Sequence, residues 1–359
     1  MESFKGALLH EPGTAKNKSG EPFRVFTAFW RAANRLAEPP EPLPIPSGPS
    51  FHALPEHVVA ASIDLADLRL QPERPDWADG LRAAWGPGES GAWHCLAHFV
   101  DKRLHSYADG RDRPDRSSTS RLSPHLRFGN ISPRQIWHAA GTAEPSRDLD
   151  KFLTELGWRE FCYHLLYHNP DLASRNIQRR FDAMPWRDDP EALRAWQRGR
   201  TGYPIVDAGM RELWATGWMH NRVRMIVASF LTKHLLIDWR EGEAWFWDTL
   251  VDADPANNPG SWQWVAGSGA DASPYFRIFN PVLQGEKFDP DGAYVRQWVP
   301  ELAALPASII HKPWTAKPAE RAAIENYPDP IIEHGFARRR ALEVFAKTKG
   351  EWIQRSCSN

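Results

Sequence analysis

Six prolines fall within the twelve residues Glu38–Pro49 (EPPEPLPIPSGP), and this run limits what the chain can fold into. Proline lacks an N–H donor and holds φ at about −65°, so neither a helix interior nor a central strand can include it. We therefore expect an extended linker laid over the surface. It separates residues 1–37, which lead from a short apolar piece into FWRAANRL, from residues 50–359.

Apolar residues after the linker recur at helical spacing, and no convincing strand-like alternation accompanies them. The spacing predicts helices at Trp93–Tyr107, Asp148–Tyr167, Pro204–Ala215, Met219–Leu236 and Arg321–Ser356. Thr216-Gly217 lies between the third and fourth of these, which makes them a helical hairpin. Because 359 residues are too many for one compact core, we expect a large all-α domain or two helical lobes.

Charge and cysteine usage exclude several classes of protein. The net charge is −1, so any attraction to nucleic acid must come from a local patch. Cys95, Cys162 and Cys357 form no CxxC pair, which argues against a disulfide framework or zinc site and favours a reducing compartment. No signal-peptide run and no stretch near the roughly 18 apolar residues of a membrane span is present. We expect a soluble, cytoplasmic monomer with no membrane partner.

The segment Asp248–Glu286 concentrates groups that are costly to bury for packing alone. Prolines and glycines break any long helix in its first half, and its polar and aromatic members are Asp252, Asp254, Asn257, Asn258, Trp262 and Trp264. We interpret this segment as a binding or catalytic site. The chain holds 18 Trp; core packing explains part of that number, and surfaces for stacking or for moving electrons are the alternative.

Two predicted helices carry polar groups on one face. In Asp148–Tyr167, residues Glu155, Trp158, Arg159 and Cys162 share a face; this is either a surface ion pair on an amphipathic helix or a face turned to a ligand. His164 and His168 have metal-ligand spacing but no HExxH glutamate, so we expect no metal.

In the predicted helix Met219–Leu236, Asn221, Arg224 and Met225 share a face that suits an aromatic ligand. The alternative is that Arg224 simply pairs with a carboxylate.

The turn Ser118–Ser123 (STSRLS) offers hydroxyls and amides beside Arg121, a combination that can hold phosphate oxygens. The alternative is that Ser123, before Pro124, only caps a helix. Residues 101–140 carry eight Lys/Arg against four Asp, a modest basic segment that is either solvated surface or a contact for a phosphate backbone. Together the residues suggest a large aromatic cofactor without naming a reaction.

Five motifs resemble the FAD-binding domain of the DNA photolyase/cryptochrome family: TSRLSPHL (119–126), ELGWREF (155–161), TGYPIVDAGMRELWATGWMHNRVRM (201–225), DADPANNPGSWQW (252–264) and YFRIFNPVLQGEKFD (275–289). The resemblance covers roughly residues 20 to 315 and is greatest to class I cyclobutane pyrimidine dimer (CPD) photolyases. It implies a U-shaped FAD between two helical lobes. The residues that it places on the cofactor are Tyr107, Thr119, Ser120, Arg121, Leu122, Ser123, Phe152, Arg159, Trp218, Asn221, Arg224, Asp252, Ala253, Asp254 and Asn258.

The resemblance also implies roles within that cofactor set. The turn 119–123 and Arg159 would hold the phosphates, Asp252 and Asp254 would meet the adenosine and flavin edges, and Arg224 would pair with Asp252. Asn258 would face flavin N5. Plant cryptochromes carry an acid at that position, so Asn258 favours repair over signalling.

The implied substrate is a thymine dimer flipped out of damaged DNA. Trp158 and Trp264 would stack on its rings, Glu155 would hydrogen-bond it, and Asn221 and Met225 would line the pocket; Met225, where (6-4) photolyases place histidine, favours CPD. The residues expected at DNA are Arg111, Glu155, Trp158, Asn221, Arg222, Trp264 and Gln284. Light-excited FADH⁻ would donate an electron that splits the dimer and returns, and Trp262, Trp239 and Trp186 would conduct electrons that reduce oxidised flavin.

Family members normally begin with an α/β antenna domain, of which residues 1–49 resemble only the end and the linker, followed by a catalytic domain at 50–359. We therefore expect no antenna chromophore in this chain, and exposed apolar surface where such a domain would pack. Two rival hypotheses remain: a cryptochrome-like blue-light photoreceptor without repair activity, and a non-catalytic protein that binds damaged DNA.

Overall fold

The computed structural model describes residues 6–17, 19–44, 46–48, 50–271 and 276–357, with side chains as far as Thr348. Tyr275, which opens the last family-like motif, lies outside these residues. The described part of the chain is helical and contains no strand, so the all-α prediction is confirmed. No helix in it is long and apolar enough to cross a membrane.

Nine α-helices lie in the described residues of the first half of the chain. They are α1 Phe26–Ala33, α2 Glu56–Ala60, α3 Asp79–Ala84, α4 Gly88–Lys102, α5 Tyr107–Gly110, α6 Ser123–Arg127, α7 Pro133–Ala140, α8 Arg147–His168 and α9 Pro190–Gln197. Residues 34–44, 46–48 and 50–55 contain no helix or strand, as the prolines predict. The helix predicted at Trp93–Tyr107 begins earlier and breaks after Lys102 into a 3₁₀ turn, Leu104–Ser106, before α5.

The second half, as far as the structure describes it, contains nine more α-helices. They are α10 Pro204–Thr216, α11 Asn221–Ser229, α12 Trp239–Thr249, α13 Asn257–Ala266, α14 Pro281–Phe288, α15 Ala293–Trp298, α16 Ala307–Ile310, α17 Pro318–Ala322 and α18 His334–Cys357. Further 3₁₀ turns are at Leu65–Leu68, Arg179–Ala183, Pro300–Leu302 and Pro313–Thr315. The single helix predicted for Arg321–Ser356 is wrong for residues 323–333, where Pro328 and Pro330 prevent helix continuation.

The predicted hairpin is present as α10 and α11. Gly217 ends α10 with φ +66°, a left-handed conformation that favours glycine. The second helix starts at Asn221 rather than Met219, because the His220 side chain accepts a hydrogen bond from Arg222 N and caps it. Its continuation, Phe230–Leu235, is a π-helix.

Buried apolar side chains gather into two large clusters. One is built on α9–α13 and α15 and includes the fully buried side chains of Trp196, Trp239 and Tyr294. The other joins α4–α8 through Leu96, Phe99 and neighbouring side chains. Helix α8 contacts both α5 and α13, so one face of α8 lies between the two lobes, where the polar motifs meet.

Candidate active site

The turn Thr119–Ser123 has an unusual backbone and a buried cation. Arg121 adopts φ +55°, which is costly for a residue with a Cβ and persists where surrounding contacts impose it. Its guanidinium lies between the rings of Trp85 and Trp218, at 4.4 and 4.9 Å from their centroids. Arg121 Nη2 is buried and has no protein partner. An unpaired buried donor here requires an acceptor from outside the protein.

The alternative prediction for Ser123, that it only caps the helix at Pro124, is wrong. Helix α6 begins at Ser123 itself, its N-cap is Leu122, and no side chain caps it. Instead Ser123 Oγ accepts a hydrogen bond of 3.4 Å from Trp218 Nε1. The hydroxyl therefore points toward the same indole that stacks on Arg121.

Arg224 and Asp252 form the ion pair that the resemblance implies. Arg224 Nη2 lies 2.8 Å from Asp252 Oδ2, and Arg224 Nε donates to Met219 O at 2.7 Å. Asp252 Oδ1 is buried and has no partner. One carboxylate oxygen is thus fixed by the arginine, while the other remains free to accept a hydrogen bond.

Glu212 is a buried carboxyl that sequence reasoning missed, although it lies inside the motif at residues 201–225. Glu212 Oε2 accepts hydrogen bonds from Tyr294 Oη at 2.6 Å and from His220 N at 3.3 Å. Burial raises the pKa of Glu212, and these two hydrogen bonds, followed by the positive charges of Arg121 and Arg224, oppose that rise. Glu212 therefore fixes the backbone just before α11, within the electrostatic influence of both arginines.

Both carboxylate oxygens of Asp254 accept hydrogen bonds from other groups of the protein. Asp254 Oδ1 accepts from Ala256 N and from both Asn257 N and Asn257 Nδ2, at 2.8–2.9 Å, and Oδ2 accepts from Tyr163 Oη at 2.7 Å. These bonds shape the loop that opens α13. Ala253 is held as well, because its carbonyl accepts from Arg127 Nε; Arg127 is another group that the sequence analysis did not single out.

Asn258, in the first turn of α13, is buried, and its amide is oriented. Asn258 Nδ2 donates to Glu243 Oε1 at 2.9 Å and to Glu243 O at 3.1 Å. Since both amide hydrogens are used on Glu243, Asn258 Oδ1 is left as the group for any ligand. Burial raises the pKa of Glu243. Glu243 lies outside the quoted motifs, so no sequence signal pointed to it.

The residues on the polar face of α8 contact several different partners. Glu155 receives a hydrogen bond from Arg111 and lies 3.6 Å from Lys151 Nζ. Trp158 stacks on Phe26, with 3.7 Å between ring centroids, so only its other face is available to a base. Arg159 Nη1 donates to Ala7 O at 2.6 Å, which directs this arginine to the N-terminal segment. Cys162 packs beside Gly260 of α13.

Helix α11 supplies the neighbouring groups. Arg222 Nη2 lies 2.9 Å from Asp112 Oδ1, and its guanidinium covers the ring of Phe288 at 4.5 Å. Its Nη1 also contacts Met225 Sδ at 3.7 Å. Gln284 lies one turn before Phe288 on α14 and is partly exposed. The structure thereby brings the predicted DNA contacts Arg111, Arg222 and Gln284 to the same region as Met225.

The remaining predicted residues pack as follows. Tyr107 and Phe152 are buried edge-to-face, 5.6 Å apart, and burial strongly raises the pKa of the tyrosine. Trp264 is half-buried on α13. Asn221 begins α11. The described residues contain no group of three potential metal ligands, and His164 instead accepts a hydrogen bond from Phe23 N at 3.0 Å.

The three tryptophans of the expected electron path lie on connected elements. Trp262 is buried, and its ring packs against α12 where Gly242 leaves room; a Cβ on Gly242 would lie 2.1 Å from Trp262 Cη2. Trp239 opens α12, is fully buried and donates to Asn176 Oδ1 at 2.9 Å. Trp186 is half-buried, and the next residue, Arg187, donates its N–H to Leu236 O at 2.7 Å. Trp262 and Trp239 are thus buried, and Trp186 is the member of the three that is partly exposed.

Residues 152–347 match the family described as the FAD binding domain of DNA photolyase, and residues 1–47 match the family described as DNA photolyase. The deoxyribodipyrimidine photo-lyase of Agrobacterium fabrum is 55% identical over 357 residues, which cover 97% of this chain and 74% of that protein. The chain belongs to the DNA photolyase/cryptochrome family. The resemblance found in the sequence motifs is thereby confirmed.

Two further relatives show the range of the family. A crystal structure described as a bacterial class III photolyase from Agrobacterium tumefaciens is 53% identical with a TM-score of 0.90, and the match covers 97% of this chain and 73% of that one. Cryptochrome-2 of Arabidopsis thaliana is 38% identical over 369 residues, which cover 97% of this chain and 60% of that protein. Proteins named photolyase and proteins named cryptochrome are therefore both similar to this chain.

The residues present fit FAD, the cofactor of this family's binding domain. A dinucleotide needs cations and N–H groups for its phosphates and acceptors for its ribose and ring edges. Arg121 Nη2 and Asp252 Oδ1 are a buried donor and a buried acceptor without protein partners, and His220 Nε2 is a third unpartnered atom. Their chemistry matches those needs.

Proposed function

We propose that this chain is a deoxyribodipyrimidine photo-lyase that repairs cyclobutane pyrimidine dimers in DNA with light. The observation that carries this proposal is the 55% identity to a protein of that name across 97% of the chain. It is an enzyme, and FAD is its cofactor. FAD, when bound in reduced form, supplies the light-driven electron that splits the dimer.

The chain's own residues bind the cofactor and fix its orientation. Arg121 and Asp252 offer unpaired hydrogen-bonding atoms to the cofactor. The rings of Trp85 and Trp218 hold Arg121 in place, and Arg224 holds Asp252. Asn258 presents its carbonyl oxygen, because Glu243 takes both of its N–H groups. Fixing an amide in one orientation avoids reorganisation while charge moves nearby.

Glu155 is the group that we assign to the damaged base. Its carboxylate accepts one hydrogen bond from Arg111 and lies near Lys151, and a carboxylate has about four acceptor positions. It can therefore still accept from a pyrimidine N–H. Trp158, with one face on Phe26, and Trp264 provide flat surfaces for stacking, and Asn221 and Met225 line the same side.

The class of photolyase and the division of the chain are finer proposals. The motifs favoured class I, and that assignment is not confirmed. The 53% identity to a structure described as a class III photolyase leads us to propose class III. We also propose that residues 1–49 correspond to the end of an antenna domain with its linker and residues 50–359 to the catalytic domain; the match of residues 1–47 to a separate family supports this boundary.

Two remaining proposals concern electron transfer and the working form of the protein. We propose that Trp262, Trp239 and Trp186 carry electrons from the surface to oxidised flavin. This is supported by the contact between α13 and α12, which carry Trp262 and Trp239, and by the partial exposure of Trp186. We also propose a monomer that acts on damaged DNA in the cytoplasm.

The test is dimer repair by the purified chain. The protein is loaded with FAD, reduced, mixed with an oligonucleotide that contains one thymine dimer, and illuminated with blue or near-UV light. We expect flavin absorption bands and loss of the dimer in light but not in the dark. Flavin bands with no dimer loss would instead support the photoreceptor hypothesis, which the 38% identity to a plant cryptochrome keeps as the second candidate.

A further inference from the structure

One carboxylate, Asp112, lies between the two arginines expected at DNA phosphates. Asp112 Oδ1 is 2.9 Å from Arg222 Nη2 and 3.8 Å from Arg111 Nε. The arginines come from different elements, since Arg111 follows α5 and Arg222 is in the first turn of α11. A single oxygen atom therefore connects two parts of the chain that are 111 residues apart in sequence.

Both guanidinium groups are largely buried, and Asp112 places one negative charge beside the two of them. The side chains of Arg111 and Arg222 are 13% and 17% exposed, against 37% for Asp112. Within the described residues, Asp112 is the carboxylate that pairs with Arg222, whose other contacts are the Phe288 ring and Met225 Sδ. Arg111 has a second carboxylate partner in Glu155.

We propose that Asp112 is a positioning residue that sets the spacing of Arg111 and Arg222 for the phosphates on either side of a flipped-out dimer. This inference rests on the proposed function. Arginine contacts to phosphate position a protein on DNA without reading its bases. Flipping a dimer out of the duplex rotates the backbone that carries it, so two arginines held at a fixed spacing favour the phosphates of the flipped strand over those of regular duplex.

Asp112 has a second effect through Arg111. That arginine is shared between Asp112 and Glu155, the carboxylate assigned to the damaged base. When Asp112 loses its charge, Arg111 is drawn more fully onto Glu155, and fewer acceptor positions of Glu155 remain for the pyrimidine. Loss of the Asp112 charge therefore weakens recognition of the lesion while leaving one more net positive charge for any DNA backbone.

The experiment compares the Asp112→Asn variant with the wild-type chain, both loaded with FAD. Binding to a duplex with one thymine dimer and to the same duplex without damage is titrated by fluorescence anisotropy at fixed salt. We expect the ratio of the two affinities to fall roughly three- to tenfold in Asp112→Asn, the range for a partly buried ion pair. Affinity for the undamaged duplex should stay equal or rise.

Two further variants make the result specific. Asp109→Asn removes a charge from the same short segment, where Asp109 pairs at 3.2 Å with Arg147 and both side chains are more than three-quarters exposed; its affinity ratio should stay at the wild-type value. Asp112→Glu keeps the charge and should recover most of the preference for damage. The ratio is insensitive to a fraction of misfolded protein, because both titrations use the same sample.

The inference is overturned if Asp112→Asn keeps the wild-type ratio, or if Asp109→Asn lowers the ratio equally. Failure of the proposed function looks different, since the wild-type chain itself would then show no preference for the dimer and no light-dependent repair.

Discussion

At the scale of single residues, two charged side chains of the site share one property. Each is fixed by a neighbouring side chain, and each keeps one polar atom without a protein hydrogen-bond partner. Asp252 has one oxygen on Arg224 and one without a partner. Arg121 is held by two indole faces, with Nη2 unpaired. Unpaired buried polar atoms cost about 1–3 kcal/mol each. A bound cofactor removes that cost, so the same atoms that destabilise the empty protein favour binding.

Asp252→Asn should weaken FAD binding by about tenfold or more, because a charge-assisted hydrogen bond becomes a neutral one and Arg224 loses its counter-ion. Flavin fluorescence during titration of the refolded or deflavinated chain measures the dissociation constant. Asp248→Asn, at an exposed position four residues earlier, is the matched control. Equal affinities for the two variants would show that Asp252 does not contact the cofactor.

Trp262→Phe should abolish light-driven reduction of oxidised flavin but leave repair by chemically reduced enzyme unchanged, since phenylalanine keeps the packing but is far harder to oxidise. Absorption spectra under illumination follow the first property, and dimer loss follows the second. Trp196→Phe makes the same change in a ring 6.2 Å from Trp262 that is not on the proposed path. Photoreduction lost equally in both variants would argue against a specific path.

At the scale of elements, α12 and α13 approach closely because Gly242 has no side chain. The ring of Trp262 occupies the place where a Cβ would lie, and Leu231 Cδ2 is 2.6 Å from the same point. Helix α13 carries both Asn258 and Trp262, and Glu243 of α12 orients Asn258. The helix contact therefore sets the amide and the indole together.

Gly242→Ala should destabilise the protein by roughly 1–3 kcal/mol, as overpacking in a dense core does, despite the higher helix propensity of alanine. Thermal unfolding followed by circular dichroism measures the change. Gly335→Ala in the first turn of α18 is the control, because there the nearest atoms are the carboxylate of Glu333 at 3.1–3.5 Å, the end of a movable side chain. A Gly242→Ala variant as stable as wild type would mean that α12 and α13 can separate at little cost.

At the scale of the whole molecule, α8 connects the N-terminal segment to the helical lobes. Glu160 Oε2 accepts hydrogen bonds from Leu9 N at 3.0 Å and His10 N at 3.1 Å, and Arg159 and His164 bind Ala7 O and Phe23 N. Burial raises the pKa of Glu160 to about 7, opposed by those two N–H donors and by Arg159. The polar face of α8 thus serves the N-terminal segment as well as the site.

The raised pKa of Glu160 predicts a pH dependence of stability. The folded protein binds this proton more tightly than the unfolded chain, whose carboxyl has a pKa of 4.5. The free energy of unfolding should therefore fall as pH rises from about 4.5 through about 7, by an amount on the order of 3 kcal/mol. Urea unfolding of wild type and Glu160→Gln at pH 5 and pH 8 measures it.

In that comparison, the free energy of unfolding should change less between pH 5 and pH 8 in Glu160→Gln than in the wild type, because the variant has no carboxyl to ionise at this position. The variant Glu11→Gln, whose parent residue lies near Glu160 at a partly exposed position, should keep it. An identical pH dependence in wild type and Glu160→Gln would show that Glu160 does not titrate in this range.

Much of this protein follows from its sequence. Helical periodicity and the prolines at residues 38–49 determine an all-α protein with an extended connection, because these constraints act locally on the backbone. The long motifs also determine the family, the cofactor and the Arg224–Asp252 pair.

Tertiary structure alone decided the groups that hold those residues. Glu243, Asp112, Glu212 and Arg127 act on partners that are distant in sequence, and no local spacing encodes such contacts. The same reason explains Ser123, whose hydroxyl meets Trp218 across the site rather than capping its own helix, and Trp158, one face of which is covered by Phe26. The sequence determines the chemistry of each side chain. The tertiary contacts of the folded chain determine which polar atoms remain without a protein partner and can bind a ligand.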